Sequence, residues 1–184
     1  MNIVTICGSL RKASYNHMLV RALPALAPAG MKFQESPAYD HFPLYNADLH
    51  ADGKFPTLVT AFADAIRAAD GVIFVSPEYN YTIPGALKNA VDWVSRLKDQ
   101  PFKEKPVAIQ SASQGPLGGA RMQYHLRMAL TFSDALLFGR PEIFVGLAAT
   151  KFDKDTLELK DQPTKDIIKL QLAAFAKFIQ RMKA

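Results

Sequence analysis

Cysteine is nearly absent from this chain: Cys7 is the only one among 184 residues. A single thiol excludes a disulfide framework and every metal cluster that needs two or more sulfurs, and it predicts a reducing, cytoplasmic setting. Long apolar runs are lacking as well. No stretch nears the roughly 20 residues that a membrane span requires. The start MNIVTIC has no basic stretch ahead of its short apolar run, so neither a span nor a leader is expected. Internal repeats, low-complexity tracts and Gly/Ser linkers are missing too, which predicts a single domain over residues 1–184. The 22 Lys and Arg exceed the 17 Asp and Glu by five, but these basic residues are scattered in small groups with acids between them. With no zinc-finger, RNP or basic-zipper spacing, nucleic acid is not an expected partner; anionic small molecules suit the charge better.

What is present is a folded-protein composition, 49% hydrophobic, enough to build a core. Apolar runs alternate with helical patterns from end to end. Residues 2–7 (NIVTIC), 31–36, 71–76 (GVIFVS), 106–111 (PVAIQS) and 141–145 (PEIFV) read as strands. Helical spacing fills the intervals: residues 15–27, a stretch opened by Pro56, residues 84–97, 119–137 and 164–182. Strands apolar on both faces and joined by helical crossovers predict an α/β fold with five parallel strands and helices on both faces. In such a sheet the ligand crevice lies beyond the carboxyl ends of the strands. Functional residues are therefore expected after Cys7, Ser76 and Ser111.

The loop after Cys7 reads Gly8-Ser9-Leu10-Arg11-Lys12-Ala13-Ser14-Tyr15-Asn16. Hydroxyls, an amide and a guanidinium beside the N–H groups of a helix start suit a phosphate monoester. A plain capped turn is the other reading, with Ser14 or Asn16 capping the helix and Arg11 in water. The loop after Ser76 holds Pro77, Glu78, Tyr79, Asn80, Tyr81 and Thr82 ahead of Pro84. Stiff ends, flat rings and an amide suit the edge of a planar heteroaromatic ligand; an ordinary strand-to-helix turn is the alternative. The loop after Ser111, with Ala112, Ser113, Gln114, Gly115 and Gly119, is small enough to let a ring approach its backbone.

Other catalytic signatures are missing. There is no G-x-x-x-x-G-K-[ST], no G-x-G-x-x-G, no G-x-S-x-G and no H-x-x-x-H among His17, His41, His50 and His125. No protein nucleophile and no metal site are expected, and Cys7 reads as a small hydrophobe at a strand end.

GSLRKASYN, SPEYNYTIPGALKNAVDWVSR and GGARMQYHLR together resemble the NADPH-dependent FMN reductase family, and within it the bacterial quinone and chromate reductase branch. The resemblance spans the chain. It implies a flavodoxin-like three-layer sandwich of strand order 2-1-3-4-5 that binds FMN non-covalently. Ser9, Arg11, Ser14, Tyr15 and Asn16 would hold the phosphate. Pro77, Glu78, Tyr79 and Asn80 would line the isoalloxazine and ribityl, with Ser111, Ala112, Ser113 and Gly115 at the pyrimidine side. Where relatives often carry a hydroxyl-rich triplet, this chain has Ala112 and Gln114, which leaves backbone groups for that edge. The implied reaction is hydride transfer from NADPH or NADH to the flavin, then reduction of a quinone or similar acceptor such as chromate, an azo dye or free flavin. A flavodoxin-like electron carrier is the alternative, although such carriers are typically acidic and this chain is not.

Residues 84–97 carry two apolar stripes, Leu87, Val91 and Val94 beside Ala86, Ala90, Trp93 and Leu97. The next helix repeats this with Met122, Leu126 and Leu130 beside Tyr124, Met128 and Ala135. Such wide arcs predict a homodimer through these helices, itself able to pair into a tetramer; deep burial is the other reading.

Overall fold

A computed structural model describes residues 1–183; Ala184, the last residue of the expected domain, lies outside them. Six strands, β1 (Asn2–Cys7), β2 (Lys32–Glu35), β3 (Gly71–Val75), β4 (Pro106–Ala112), β5 (Leu136–Leu137) and β6 (Ile143–Val145), form one parallel sheet. Its order is β2-β1-β3-β4-β5, with β6 also paired to β4. The expected 2-1-3-4-5 path is thus present, and its last place is shared. β5 takes the start of β4 at Pro106 and Val107, and β6 takes the end, from Gln110 to Ala112.

Side chains alternate across the sheet with period two. Val4, Ile6, Val72, Phe74, Val107 and Ile109 face one core, where they meet α2 (Thr57–Ala68), α3 (Gly85–Val94) and α4 (Ala120–Thr131). Ile3, Ile73, Val75 and Ala108 face the other, against α1 (Tyr15–Leu26), α5 (Ala148–Lys151) and α6 (Gln162–Lys183). β3 and β4 are buried along their whole length, as their continuous apolar runs predicted.

Two expectations change. The helix expected to run from 119 to 137 stops at Thr131, because Asp134 adopts a left-handed φ of 56° that a helix cannot continue through. Its carbonyl then accepts from Glu104 N–H, and Leu136–Leu137 leave as β5 instead of as helix. The second stripe of α3 is covered by the chain's own irregular passage, not left bare. Trp93 is fully buried against Tyr45, His50 and Phe55, and its indole N–H donates to the Pro43 carbonyl at 2.8 Å. Asn89 secures the same passage, donating to Pro43 O and accepting from Tyr45 N–H.

The start of β1 and the end of α6 converge on Asp70. Its carboxylate accepts from Asn2 N–H at 2.7 Å and pairs with Lys183. Lys183 first, and the Asn2 N–H second, hold the Asp70 carboxyl below the usual carboxylate range. A depressed carboxyl contributes stability above that range and loses it as pH falls through its folded-state pKa. The difference in Tm between the wild type and Asp70→Asn is therefore expected to be largest near neutrality and to shrink on acidification towards pH 3, measured by circular dichroism melts.

Candidate functional site

The carboxyl ends of β1, β3 and β4 lie side by side, so the three loops leave from one edge of the sheet. Gly8 is required there: a Cβ would stand 2.1 Å from Ser76 Oγ. Ser14 caps α1 by accepting from His17 N–H at 3.1 Å. Ser9 Oγ accepts from Arg11 N–H at 3.4 Å, and Arg11 O accepts from Ser14 N–H, so the loop curls back on itself. Among the described residues, the N–H groups of Leu10, Tyr15 and Asn16 have no protein acceptor, and neither has the exposed Arg11 guanidinium. Unpaired donors at a helix start beside a free guanidinium make an anion site. Ser14 thus serves as the cap, and the unpaired N–H groups and guanidinium beside it remain available to a ligand. Tyr15 leans on Phe152, ring centroids 5.6 Å apart.

The Asn16 side chain, expected at the phosphate, is buried and spans two loops. Its Nδ2 donates to Ala112 O at 3.0 Å, and its Oδ1 accepts from Ala112 N–H at 3.0 Å. Only one orientation of the amide satisfies both. The consequence for the third loop is direct, since both backbone groups of Ala112 are spent on Asn16. Ser111 is likewise buried, its Oγ accepting from Gln123 at 2.7 Å. Ser113 N–H donates to Val145 O, and its Oγ donates to Gly115 O. The N–H groups of Gln114 and Gly115 are among those here that lack a protein acceptor among the described residues.

The second loop is a two-residue hairpin. Tyr79 and Thr82 exchange both backbone bonds at 3.0 Å, and Asn80 and Tyr81 between them have φ of 47° and 71°. Asn tolerates that region, but Tyr is strained there. α4 holds the hairpin in place. The Glu78 carboxylate accepts from Arg121 Nε at 2.5 Å and from the N–H groups of Arg121 and Met122 at 3.1 and 3.3 Å. It thereby caps a helix whose own cap residue, Gly119, has no side chain. The Arg121 guanidinium lies 3.7 Å from the Tyr81 ring centroid, and His125 Nδ1 meets Thr82 Oγ1 at 2.7 Å. Pro77 is half-buried, Tyr79 is exposed, and the N–H groups of Glu78 and Asn80 are unpaired among the described residues. Burial pushes the Cys7 thiol up to about 11, which leaves it unreactive at neutral pH. Among the described residues, no cluster of three or more His, Cys, Asp or Glu could hold a metal.

Arg121, Gln123 and His125 were not among the expected site residues. A helix beginning GGAR with no capping side chain of its own is the one signal that another element must supply the cap.

Comparison with known proteins identifies the family and the fold. The model of the NADPH-dependent FMN reductase family matches residues 1–150. The chain is 51% identical over 183 residues to a quinone reductase of Escherichia coli K12, covering all of this chain and 97% of that one. It is 42% identical to an NAD(P)H-dependent FMN reductase of Pseudomonas aeruginosa, with the same coverage. The solved structure of FerB, a flavoenzyme NAD(P)H:(acceptor) oxidoreductase from Paracoccus denitrificans, superposes with a TM-score of 0.87 at 32% identity, covering 98% of each chain.

The Asn16–Ala112 pair yields a direct test. Asn16→Ala removes two buried bonds and leaves the Ala112 peptide unpaired, so a loss of about 2–3 kcal/mol is expected in urea unfolding.

Proposed function

We propose that this chain, which belongs to the NADPH-dependent FMN reductase family, is an FMN-dependent NAD(P)H oxidoreductase that reduces quinones and similar acceptors. The observation that carries the reading is the convergence of unpaired backbone donors from three strand ends on one edge of the sheet, with Arg11 beside the first. A phosphate ester needs the N–H groups of Leu10, Tyr15 and Asn16 and the Arg11 guanidinium. A flat heterocycle with carbonyl and ring-nitrogen acceptors at its edge needs the N–H groups of Glu78, Asn80, Gln114 and Gly115. The residues fit FMN at both ends.

Bound FMN supplies the redox chemistry, accepting reducing equivalents from NADPH or NADH and delivering them to the acceptor. The chain's own residues bind and orient. Ser9 and Ser14 shape the phosphate loop, and Tyr15 closes its outer side. Pro77 to Asn80 form a stiff wall fixed to α4 through Glu78. Ser111 and Ala112 act by packing, because their polar groups are already paired, while Ser113 through Gly115 present the donors of the third loop.

The α4 stripe supports the homodimer reading. Tyr124, Met128 and Phe132, one helical turn apart, are 50%, 73% and 69% exposed. An apolar row of this kind favours a second copy of the chain, and two such pairs would make the tetramer. Among the described residues no helix is long and apolar enough to cross a membrane, and the single thiol favours a cytoplasmic place of work.

NADPH or NADH oxidation by the FMN-loaded protein is expected with a quinone or similar acceptor, and absence of turnover with any quinone, dye or metal oxyanion would refute the activity. Arg11→Ala is expected to weaken FMN binding by roughly 1.5–3 kcal/mol, measured by quenching of flavin fluorescence. Light scattering at micromolar concentration is expected to give at least twice the mass of one chain, and Met128→Glu to lower it.

A further inference from the structure

His17 lies on the first turn of α1, with its Nε2 2.9 Å from the carbonyl oxygen of Ser9. A carbonyl only accepts, so the shared proton sits on Nε2. The Cys7 thiol points at the same oxygen from 3.7 Å, and the Tyr39 hydroxyl donates to the Cys7 carbonyl at 2.6 Å. The last carbonyl of β1 and one carbonyl of the first loop are thus tied down by side chains. Those side chains line a cavity of about 250 Å³ together with Lys12, Glu35 and Asp40.

In a trans peptide the N–H points opposite to the C=O. Holding the Ser9 carbonyl towards His17 therefore turns the Leu10 N–H the other way, and that N–H has no acceptor among the described residues. The orientation of this one peptide matters to an anion. With the carbonyl tethered the loop offers a donor; with the peptide flipped it would offer a lone pair that repels phosphate. Cys7 is a weak donor and cannot hold the carbonyl alone.

We infer that His17 is a positioning residue: by fixing the Ser9–Leu10 peptide it sets the chain's preference for a phosphorylated flavin over one without phosphate. The inference rests on the FMN reading above. His17 touches neither substrate nor cofactor and acts through the loop backbone.

The test compares dissociation constants of the full-length chain, stripped of flavin, for FMN by fluorescence quenching and for riboflavin by equilibrium dialysis. His17→Phe keeps the volume and removes the donor. It is expected to raise the FMN constant roughly 3- to 10-fold, the effect of one net hydrogen bond, and to leave the riboflavin constant within about twofold. His17→Gln, which keeps a side-chain N–H, is expected to recover most of the FMN affinity. If His17→Phe gives no cooperative thermal transition, His17→Asn replaces it, being polar but too short to reach the carbonyl, with the same split expected. An FMN constant equal to that of wild type overturns the inference, and so does parallel weakening of FMN and riboflavin. Failure of the wild type itself to bind FMN would instead remove the cofactor reading.

Discussion

Strands β3 and β4 are covered on both faces, so their backbone donors and acceptors must be paired inside the protein, by neighbouring strands or, at Ala112, by the Asn16 amide. This constraint organises the rest of the molecule. Free N–H groups in such a layer can occur only where strands stop, and the parallel arrangement brings three of those stops to one edge. The loops then divide their polar groups between two jobs. Some pair with each other and make the edge rigid: Gly8 N–H to Val75 O, Ser76 N–H to Gln110 O, Ser113 N–H to Val145 O, and Asn16 to both sides of Ala112. Others, those of Leu10, Tyr15, Asn16, Glu78, Asn80, Gln114 and Gly115 among them, have no protein acceptor among the described residues. A ligand that accepts hydrogen bonds would complete an inventory the fold leaves open.

The parts of this arrangement legible in the sequence are those with a local cause. β-branched runs ending in Gly8, Ser76 and Ser111 announce strands and their stops, and Ser14 announces a cap, because each depends on neighbours a few residues away. Pairings made across the fold carried no such mark. Asn16 and Ala112 are 96 residues apart, and nothing near either one says that the amide of the first replaces a strand partner for the second. For the same reason Asn16 reads as a phosphate ligand in sequence, while its side chain serves as a clamp in the fold. The second stripe of α3 shows the converse: an apolar arc signals burial without naming the cover, and here the cover is the passage from Pro43 to Phe55, which has almost no regular structure of its own. Helix α4 reads too long because Ala135, Leu136 and Leu137 continue its apolar spacing, whereas a left-handed Asp134 redirects them into the sheet.

Glu78 shows how the loop over the ring site is kept stiff. Holding Tyr81 at positive φ costs on the order of 1–3 kcal/mol, since a bulky residue avoids that region. The conformation persists only if its surroundings over-determine it. They do so through α4: one carboxylate takes two helix N–H groups and a guanidinium, that guanidinium covers the Tyr81 ring, and His125 meets Thr82 from the next turn. The pairing with Glu78 raises the affinity of Arg121 for its proton further still, so the guanidinium half of this link keeps its charge. Strain in the hairpin and capping of α4 are therefore one interaction seen from two sides. Removing Glu78 would release both together, and a loop designed only to connect β3 with α3 would have needed neither. The strained turn is intelligible as the means of presenting the Asn80 N–H and the Tyr79 ring in a fixed attitude at the edge where the other free donors converge.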